Sequence, residues 1–250
     1  METLLQDIST QQNNGEAQST LAFFQEQFQS QYEEGHLALA CHAAFPILLT
    51  PDLLYKIWLN FGEYQTANEQ IKVVKRIAVS DILLSPLCKE VGGEQYEMQA
   101  DIRFALLGYL QQHFGKDRLD ELAHFLLQYV QTHHTEEDSS SKTFRESQEW
   151  TALAQLNPNL AAQKIAQSFA EKKGKATEQL RLNLVVERIV RQVESTNGKS
   201  ISDVSSRFRT LLKYGEGLKE YHFGNKRSSI KLFKKVTSKL NVRTIKLPVP

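Results

Sequence analysis

Residues 81–103, DILLSPLCKEVGGEQYEMQADIR, decide the fold because their periodicity changes from helix to strand and back to helix. Ser80 can cap a short helix, Asp81–Leu84, which the following Ser-Pro pair ends. Residues 87–91 then alternate in polarity, a glycine pair supplies a tight turn, and residues 96–98 return as a second strand. The stretch therefore predicts a β-hairpin between two helices.

A clear helix start precedes this stretch. Thr50 can accept a hydrogen bond as the cap, Pro51 suits the first helical position, and Asp52 complements the helix dipole. Apolar residues within 53–61 then recur on one helical face, and Gly62 follows them. The pattern predicts an amphipathic helix that begins at Pro51 and ends at Gly62.

Three further helices are predicted around the hairpin. His36–Phe45 is rich in alanine and indicates a largely buried helix that ends at Pro46. Ile102–Leu110 repeats apolar residues at helical spacing before Gly115, and Arg118–Val130 has another apolar stripe. The resulting order is helix, capped helix, short helix, hairpin and helix, which is the order of a winged-helix domain.

The second half of the chain predicts a helical unit after a polar linker. Residues 133–142, HHTEEDSSSK, are serine-rich and without periodicity, which is typical of a domain boundary. Two predicted helices, Glu149–Leu156 and Leu160–Lys172, flank an Asn-Pro-Asn turn, and a longer helix has its apolar face within 182–193. Ser200–Leu212 also predicts a helix. Paired helices of this kind are typical of α-solenoids.

The expected fold class is mainly α, with a winged-helix-like N-terminal unit that carries a small β-hairpin and a helical, α-solenoid-like unit after it. The 250 residues, of which 41% are hydrophobic and 24% charged, suit two globular units. The expected divisions are a polar N-terminal extension at 1–35, a winged-helix-like domain at 36–132, a linker at 133–147, a helical domain at 148–212 and a basic C-terminal tail at 213–250.

Charge is unevenly distributed along the chain. Residues 207–246 contain twelve basic and two acidic residues and have a net charge of +10, although the whole chain carries only +1. Aromatic residues lie among these cations, so the segment can bind phosphates and stack on bases, or dock on an acidic protein surface. The candidate interaction surface consists of nine basic residues: Arg207, Arg209, Lys213, Lys226, Arg227, Lys231, Lys234, Lys235 and Lys239.

No sequence motif predicts catalysis. Gly198-Lys199-Ser200 is similar to the end of a phosphate-binding loop, but Val193 stands where that motif needs a glycine. Cys41 and His42 are neighbours on an apolar helix, where successive side chains point about 100° apart, so the thiol and the imidazole are not expected to meet. An enzyme that uses Cys41 with a distant histidine remains an alternative.

Metal and cofactor sites are not expected either. The pairs His133-His134 and Glu136-Glu137 contain metal-ligating side chains, but their spacing matches no zinc-site pattern. Two cysteines, Cys41 and Cys88, are too few for a disulfide framework and favour a reducing compartment. Because the sequence shows no signal-peptide pattern and no apolar run long enough for a bilayer, the expectation is a cytoplasmic protein without membrane insertion.

Residues 81–87, DILLSPL, and 95–103, QYEMQADIR, resemble the winged helix that follows the nucleotide-binding core of STAND-type signalling NTPases. In that family a leucine-rich helix, Ser-x-Leu, a turn, Tyr-x-Met, an acidic residue and then Ile/Val-Arg is a common pattern. Met98 and Asp101 fall near the family's Met-His-Asp sensor motif. No histidine follows Met98, so the resemblance does not imply nucleotide sensing.

The longer run of residues 36–61 and 79–130 is similar to segments of large bacterial, especially cyanobacterial, multidomain proteins. Those proteins join caspase-like, STAND-like, formylglycine-generating-enzyme-like or repeat domains and act in biological conflict and signalling. The resemblance covers roughly residues 36–170 and implies a connecting and recognition role.

The expected function is a non-enzymatic protein-interaction or regulatory module with protein partners, in a bacterial defence or signalling assembly. One alternative is a nucleic-acid-binding regulator that uses residues 207–246, and the other is an enzyme with an unrecognised site. The helix Asp81–Leu84 would take the DNA-recognition position, but it has no arginine or lysine to contact bases or phosphates. Lys72, Lys75 and Arg76 lie just upstream and keep the DNA-binding alternative open.

Overall fold

The computed structural model describes residues 15–32, 34–65, 70–132, 139–197 and 202–239, which are mainly helical. The chain divides into two compact units, Met1–His133 (unit 1) and His134–Pro250 (unit 2). The described part of unit 1 contains α1 (Gly15–Tyr32), α2 (Gly35–Ala43), α3 (Pro51–Phe61), β1 (Glu63–Gln65), β2 (Ile71–Val73), α4 (Ala78–Leu84), β3 (Cys88–Gly92), β4 (Gln95–Met98), α5 (Ala100–Phe114) and α6 (Asp117–Thr132). The described part of unit 2 contains α7 (Ser139–Leu156), α8 (Pro158–Glu171), α9 (Ala176–Asn197), α10 (Ser202–His222) and α11 (Lys226–Lys239). None of these helices is long and apolar enough to cross a bilayer.

The predicted start of α3 is confirmed. Thr50 Oγ1 accepts a hydrogen bond from the Leu53 amide at 3.1 Å, Pro51 occupies the first turn, and Gly62 follows the last helical residue. Leu53, like Leu54, Ile57 and Phe61, is buried in the core of unit 1. The same residues that set the helical period therefore also attach α3 to the rest of the unit.

The predicted β-hairpin is also confirmed. Strand β3 pairs with β4 in antiparallel register, with Cys88 opposite Met98. Gly92 and Gly93 lie in the turn with φ angles of 102° and 62°, in the left-handed region that side chains disfavour. Glu94 follows with a φ of 56°, so three successive residues have a positive φ, and glycine adopts this conformation without strain at two of them.

A third chain segment extends this hairpin. Leu49, just before α3, forms an antiparallel bridge to Tyr96, and their backbone groups exchange two hydrogen bonds of 2.8 Å. A second hairpin, β1–β2, lies between α3 and α4 and was not predicted. Each of its strands has only three residues, which is too short to show an alternating pattern.

The predicted start of α4 is wrong. The helix begins at Ala78, three residues before the predicted Asp81, and Ser80 lies inside it. The Ser80 hydroxyl donates a hydrogen bond to the carbonyl of Ile77 at 3.0 Å and does not cap the helix. A serine can bond to a preceding carbonyl within a helix as well as cap a helix start, so its presence alone does not locate the start.

Helix α1 occupies part of the predicted polar extension at 1–35. Its residues Leu21 and Phe24 are buried, and it packs against α2 and α5. Residues 15–32 therefore belong to the packed structure of unit 1, and residues 1–14 lie outside the described residues.

A buried arginine joins the start of α5 to the end of α2. Arg103 donates hydrogen bonds from Nε to the carbonyl of Ala44 at 2.8 Å and from a terminal guanidinium nitrogen to the carbonyl of Phe45 at 2.9 Å. Carbonyls at a helix C-terminus have no partner within the helix, and here the guanidinium provides one. Arg103, the arginine of the Ile-Arg pair in the pattern quoted above, thus has a structural role in this chain.

In unit 2 the predicted break between α7 and α8 is confirmed, but α8 begins at Pro158 and not at the predicted Leu160. Asn157 Oδ1 accepts a hydrogen bond from the Leu160 amide at 3.2 Å and caps the helix, so Pro158 and Asn159 lie in its first turn and not in a separate turn. Helix α7, however, begins at Ser139 and not at the predicted Glu149. The predicted linker at 133–147 is therefore helical from residue 139. The first half of α7 is polar and rich in serine, but the second half of the helix is buried, and this packing stabilises the whole helix.

Residues 213–239, most of the predicted basic tail, form the end of α10 and all of α11. Tyr214, Leu218 and Val236 are buried within unit 2. The many cations of this segment mask apolar residues that recur at helical spacing and face the core. Residues 240–250 lie outside the described residues.

Two glycines allow close packing of α10 against its neighbours. A side-chain carbon at Gly217 would lie 2.8 Å from the Phe233 ring of α11, and one at Gly215 would overlap the side-chain amide of Asn183 in α9. Both glycines are buried in the middle of a helix. Their role here is to leave space for a neighbouring helix.

Candidate interaction surfaces

Cys41 and His42 are both completely buried in α2. Burial raises the pKa of the Cys41 thiol far above its ordinary value, so the nucleophilic thiolate is disfavoured. His42 Nδ1 donates to the carbonyl of Ala38 at 2.6 Å, and its ring packs against Phe61 and Phe114 with centroid distances of 5.5 and 4.9 Å. Burial lowers the pKa of His42 to about 4, so the ring is neutral at pH 7.

A second histidine positions α4. His36 is buried, and its Nε2 lies 2.8 Å from Asp81 Oδ2 across the interface between α2 and α4. Asp81 is the only charged residue within α4, and this contact directs its carboxylate toward α2. The remaining residues of α4 are alanine, serine or aliphatic, so the helix presents no cation to solvent.

Exposed apolar side chains of unit 1 are concentrated in sequence around α4. The exposed fractions are 73% for Ile71 and 67% for Val73, which lie on the same face of β2. Ile77 and Leu84, at the two ends of α4, are exposed to 47% and 79% and share one helical face because they are seven residues apart. We call these four residues, with the exposed Val91 of β3, the apolar surface of unit 1.

Three cations lie in sequence beside the apolar surface. Lys72 is half-buried, whereas Lys75 and Arg76 are exposed between β2 and α4. These three residues precede α4 in the chain and do not lie on the helix, which agrees with the expectation that they lie just upstream of it. The surface around α4 therefore has cations at one margin, and the helix itself exposes Ser80 and Leu84.

Helix α11 brings five of the nine candidate cations together. Lys226, Arg227, Lys231, Lys234 and Lys235 are all exposed, and at about 100° per residue they cover roughly half of the helix circumference. Ser229 and Val236 are buried on the opposite side. We call these five residues the basic surface of unit 2.

Apolar and aromatic side chains accompany the basic surface. Ile230 is exposed within the arc of cations, and Tyr221 and Phe223 are exposed just before α11. No acidic residue occurs in the sequence after Glu220, so the helix carries no opposing charge of its own. Such a surface can attract a polyanion and offer rings for stacking.

The other four candidate cations are not part of the basic surface of unit 2. Arg207 donates to Asn159 Oδ1 at 2.6 Å, and Arg209 pairs with Glu194 at 2.7 Å. Lys213 is half-buried on α10, and the side chain of Lys239, at the end of α11, lies outside the described residues. The structure thus selects a contiguous subset of the cations, because only side chains on one helical face can act together.

Two further sequence candidates fall outside the described residues. They are the Gly198-Lys199-Ser200 segment and the cluster that contains His133-His134 and Glu136-Glu137. Among the residues that the structure does describe, no group of three or more histidine, cysteine, aspartate or glutamate side chains is arranged to hold a metal ion.

The apolar surface of unit 1 was not predicted from the sequence. A signal was present, since Ile71 and Val73 lie on either side of Lys72 and Ile77 and Leu84 are seven residues apart. However, the same spacings are expected for core residues, and only the packing of the neighbouring elements shows which apolar side chains remain exposed.

Comparisons with known proteins leave the chain without an assigned family. No protein-family model, no curated protein and no solved structure matches it.

Proposed function

We propose that this chain is a non-enzymatic protein-interaction or regulatory module that binds a protein partner through the apolar surface of unit 1. The observation that carries the proposal is the exposure of Ile71, Val73 and Leu84, each by two thirds or more. Five of the large apolar side chains exposed in unit 1 fall within residues 71–91, and a patch of exposed apolar side chains on a protein marks an interaction site. Covering a large aliphatic side chain contributes about 1.5–3 kcal/mol, so a few such residues can support a specific complex.

The proposal includes a winged-helix architecture for unit 1. In support, α2, the bridge residue Leu49, α3, α4 and the β3–β4 hairpin follow one another in the winged-helix order. The isolated backbone bridge of Leu49 to Tyr96 supports the proposal, because it pairs a third chain segment with the hairpin. The β1–β2 hairpin is an addition between the second and third helices of that order.

The chemistry of α4 favours a protein over DNA as the partner of this unit. A helix that reads a DNA groove needs polar or basic side chains for base edges and phosphates. Helix α4 has one charged residue, Asp81, whose carboxylate is held by His36. Its exposed end residue is Leu84, which suits a partner's apolar pocket.

For unit 2 we propose a solenoid-like helical architecture that supports a second contact surface. Consecutive helices pack against one another, with α7 on α8, α9 on α10 and α10 on α11. Together with the resemblance of residues 36–170 to connector segments, this arrangement leads us to extend the proposal to a bacterial defence or signalling assembly.

The test is a capture experiment with the full chain and two single variants at low and high salt. Leu84→Glu places a charge on the apolar surface, and Leu184→Glu places the same charge at an exposed leucine of α9 as a control. We expect a protein partner that is retained at high salt by the wild type and by L184E. L84E should reduce its affinity at least tenfold, which is about 1.4 kcal/mol.

Stability measurements separate loss of binding from loss of folding. Both leucines are more than half exposed, so each variant should change the free energy of unfolding by less than about 0.5 kcal/mol. A partner that binds L84E as tightly as the wild type would refute the proposed surface.

A second candidate function, nucleic-acid binding, is favoured by the basic surface of unit 2. Five exposed cations on α11, with Tyr221 and Phe223 nearby in sequence, provide charge for phosphates and rings for bases. Binding of this kind weakens steeply as salt rises, because phosphate contacts release counterions.

Salt titration of single-stranded oligonucleotide binding tests this candidate. The variant Lys226→Gln/Arg227→Gln/Lys231→Gln should weaken binding and lower the slope of log affinity against log salt by about two to three. The control Lys89→Gln/Lys116→Gln/Arg191→Gln removes the same number of exposed cations elsewhere and should leave the slope unchanged. Equal slopes for the two variants would exclude the basic surface as the binding site.

A further inference from the structure

Unit 2 contains a cleft of ≈ 330 Å³ between α7, the α8–α9 turn and the first half of α9. Its volume lies at the lower end of the range for small-molecule sites, about 300–1,000 Å³. None of the five cations of the basic surface lines it. The cleft is therefore distinct from the basic surface of unit 2.

The apolar part of the cleft consists of Trp150, Leu182 and Val185. All three are buried residues, so their side chains have fixed positions and only a small part of each is open to the cleft. An indole and two aliphatic groups at the edge of a concave space can cover one face of an apolar or aromatic ligand.

An ion pair holds one wall of the cleft in place. Lys172 Nζ lies 2.9 Å from Glu146 Oε2 and 2.6 Å from Ser168 Oγ, and it sits 5.9 Å from the centroid of the Trp150 ring. The Lys172 and Glu146 side chains are each about four-fifths buried. Glu146 Oε1 also lies 3.9 Å from the Nζ of Lys142, so this one carboxylate offsets part of the charge of two lysines in the lining.

The rim of the cleft has an excess of positive charge. Lys175 pairs with Glu178 at 3.4 Å, but both are largely exposed and such a pair is weak. Arg181 is exposed and makes no hydrogen bond or ion pair with the residues that the structure describes. The whole lining has four cations, with Lys142 as the fourth, and two carboxylates, Glu146 and Glu178.

We propose that this cleft binds a small organic anion with an apolar or aromatic body. The body lies against Trp150, Leu182 and Val185, and the anionic group, a carboxylate or a phosphate monoester, reaches Arg181 and Lys175 at the rim. A guanidinium is suited to either group because its planar set of donors forms two parallel hydrogen bonds. A neutral ligand would leave the positive rim unmatched, and an inorganic anion would leave the apolar part open.

The experiment measures binding of three probes to the full chain by saturation-transfer NMR titration. The probes are 2-naphthoate, 2-naphthyl phosphate and the neutral 2-naphthamide. We expect saturable binding of the two anions and about tenfold weaker binding of the amide, since a hydrogen bond to a charged group contributes about that factor. The tighter of the two anions identifies the anionic group that the rim prefers.

Two arginine variants on the same helix locate the site. Arg181→Gln should weaken the binding of both anions about tenfold and leave the amide unchanged. Arg191→Gln changes another exposed arginine of α9, one that pairs with Glu187, and should have no effect on any probe. The proposal is overturned if neither anion binds saturably, if the amide binds as tightly as the anions, or if R181Q binds them as the wild type does.

Discussion

The two units differ in what they expose and in how their chains are held. Unit 1 exposes aliphatic residues around its short helix α4, whereas unit 2 exposes a continuous arc of cations on α11. Besides helices of 15–18 residues, the described part of unit 1 has short strands and the helices α2–α4 of 7–11 residues, and buried polar contacts such as those of Arg103 and His36 hold the ends of α2 and α4. Unit 2 has long helices that satisfy their own backbone groups and pack through side-chain faces and glycines. Short elements depend on individual polar contacts, and long helices depend on the fit between neighbours.

The largest expected effect is on unit 1 and involves Arg103. Arg103→Leu removes the two hydrogen bonds that the guanidinium donates to the carbonyls of Ala44 and Phe45. Because those hydrogen bonds have a charged donor, we expect the free energy of unfolding to fall by about 3–5 kcal/mol. The control Arg191→Leu, at an exposed position of α9, should change stability by less than about 0.5 kcal/mol.

The measurement is urea denaturation followed by tryptophan fluorescence, with one tryptophan in each unit. Trp58 in unit 1 donates to the Val74 carbonyl, and Trp150 is buried in unit 2. If R103L shifts the Trp150 signal as much as the Trp58 signal, the two units do not unfold separately and the comparison between them fails.

The second effect is the pH dependence that the buried His42 gives to the stability of unit 1. Burial lowers the pKa of His42 to about 4 from its ordinary 6.5, so below pH 6.5 the unfolded chain binds a proton that the folded chain does not. The contribution of neutral His42 to the free energy of unfolding is fully present above pH 6.5 and is lost as the pH falls toward 4. The total loss expected from this pKa difference is about 3 kcal/mol.

The readout is the slope of unfolding free energy against pH from the Trp58 signal. His42→Gln should make this slope shallower, whereas His124→Gln, at an exposed histidine of α6, should preserve it. Identical slopes for the wild type and H42Q would show that His42 does not titrate as its burial predicts.

The smallest effect compares one substitution in the two units. Gly108 of α5 is exposed, and a side-chain carbon there would meet no atom within 4 Å, so Gly108→Ala should stabilise unit 1 by about 0.8–1 kcal/mol. Gly217→Ala should destabilise unit 2 by about 1 kcal/mol, because the contact with Phe233 outweighs the gain in helix propensity. Thermal unfolding of both variants checks the signs, and stabilisation by G217A would mean that α10 and α11 can separate at little cost.

Much of the local structure was predictable from sequence because its determinants are local. Thr50 caps the helix that it was expected to start, and the turn glycines at 92 and 93 have positive φ angles, as a tight turn allows. The starts of α4 and α7 were not predictable, since the polar residues there allow either a helix or a loop. Neighbouring elements decide between the two.

The candidate sites were less predictable than the fold. Nine cations were identified by composition, but only their helical positions bring five of them onto one face of α11. Cys41 and His42 are adjacent in sequence and lie in the core, where burial suppresses both the thiolate and the imidazolium. Neither the exposure of Leu84 nor the cleft beside Trp150 could be derived from residue spacing, because each depends on elements that are distant in the chain.

By itself, the sequence determined the helical class, the main helices, the β3–β4 hairpin and the uneven charge. These follow from periodicity, capping residues and composition, which act over a few neighbouring residues. The tertiary structure alone decided that Arg103 holds the end of α2, that Gly217 admits Phe233 and that most of the basic segment belongs to the core of unit 2. The physical reason is that burial and close contact are set by the packing of residues far apart in the chain, and a linear pattern does not contain that information.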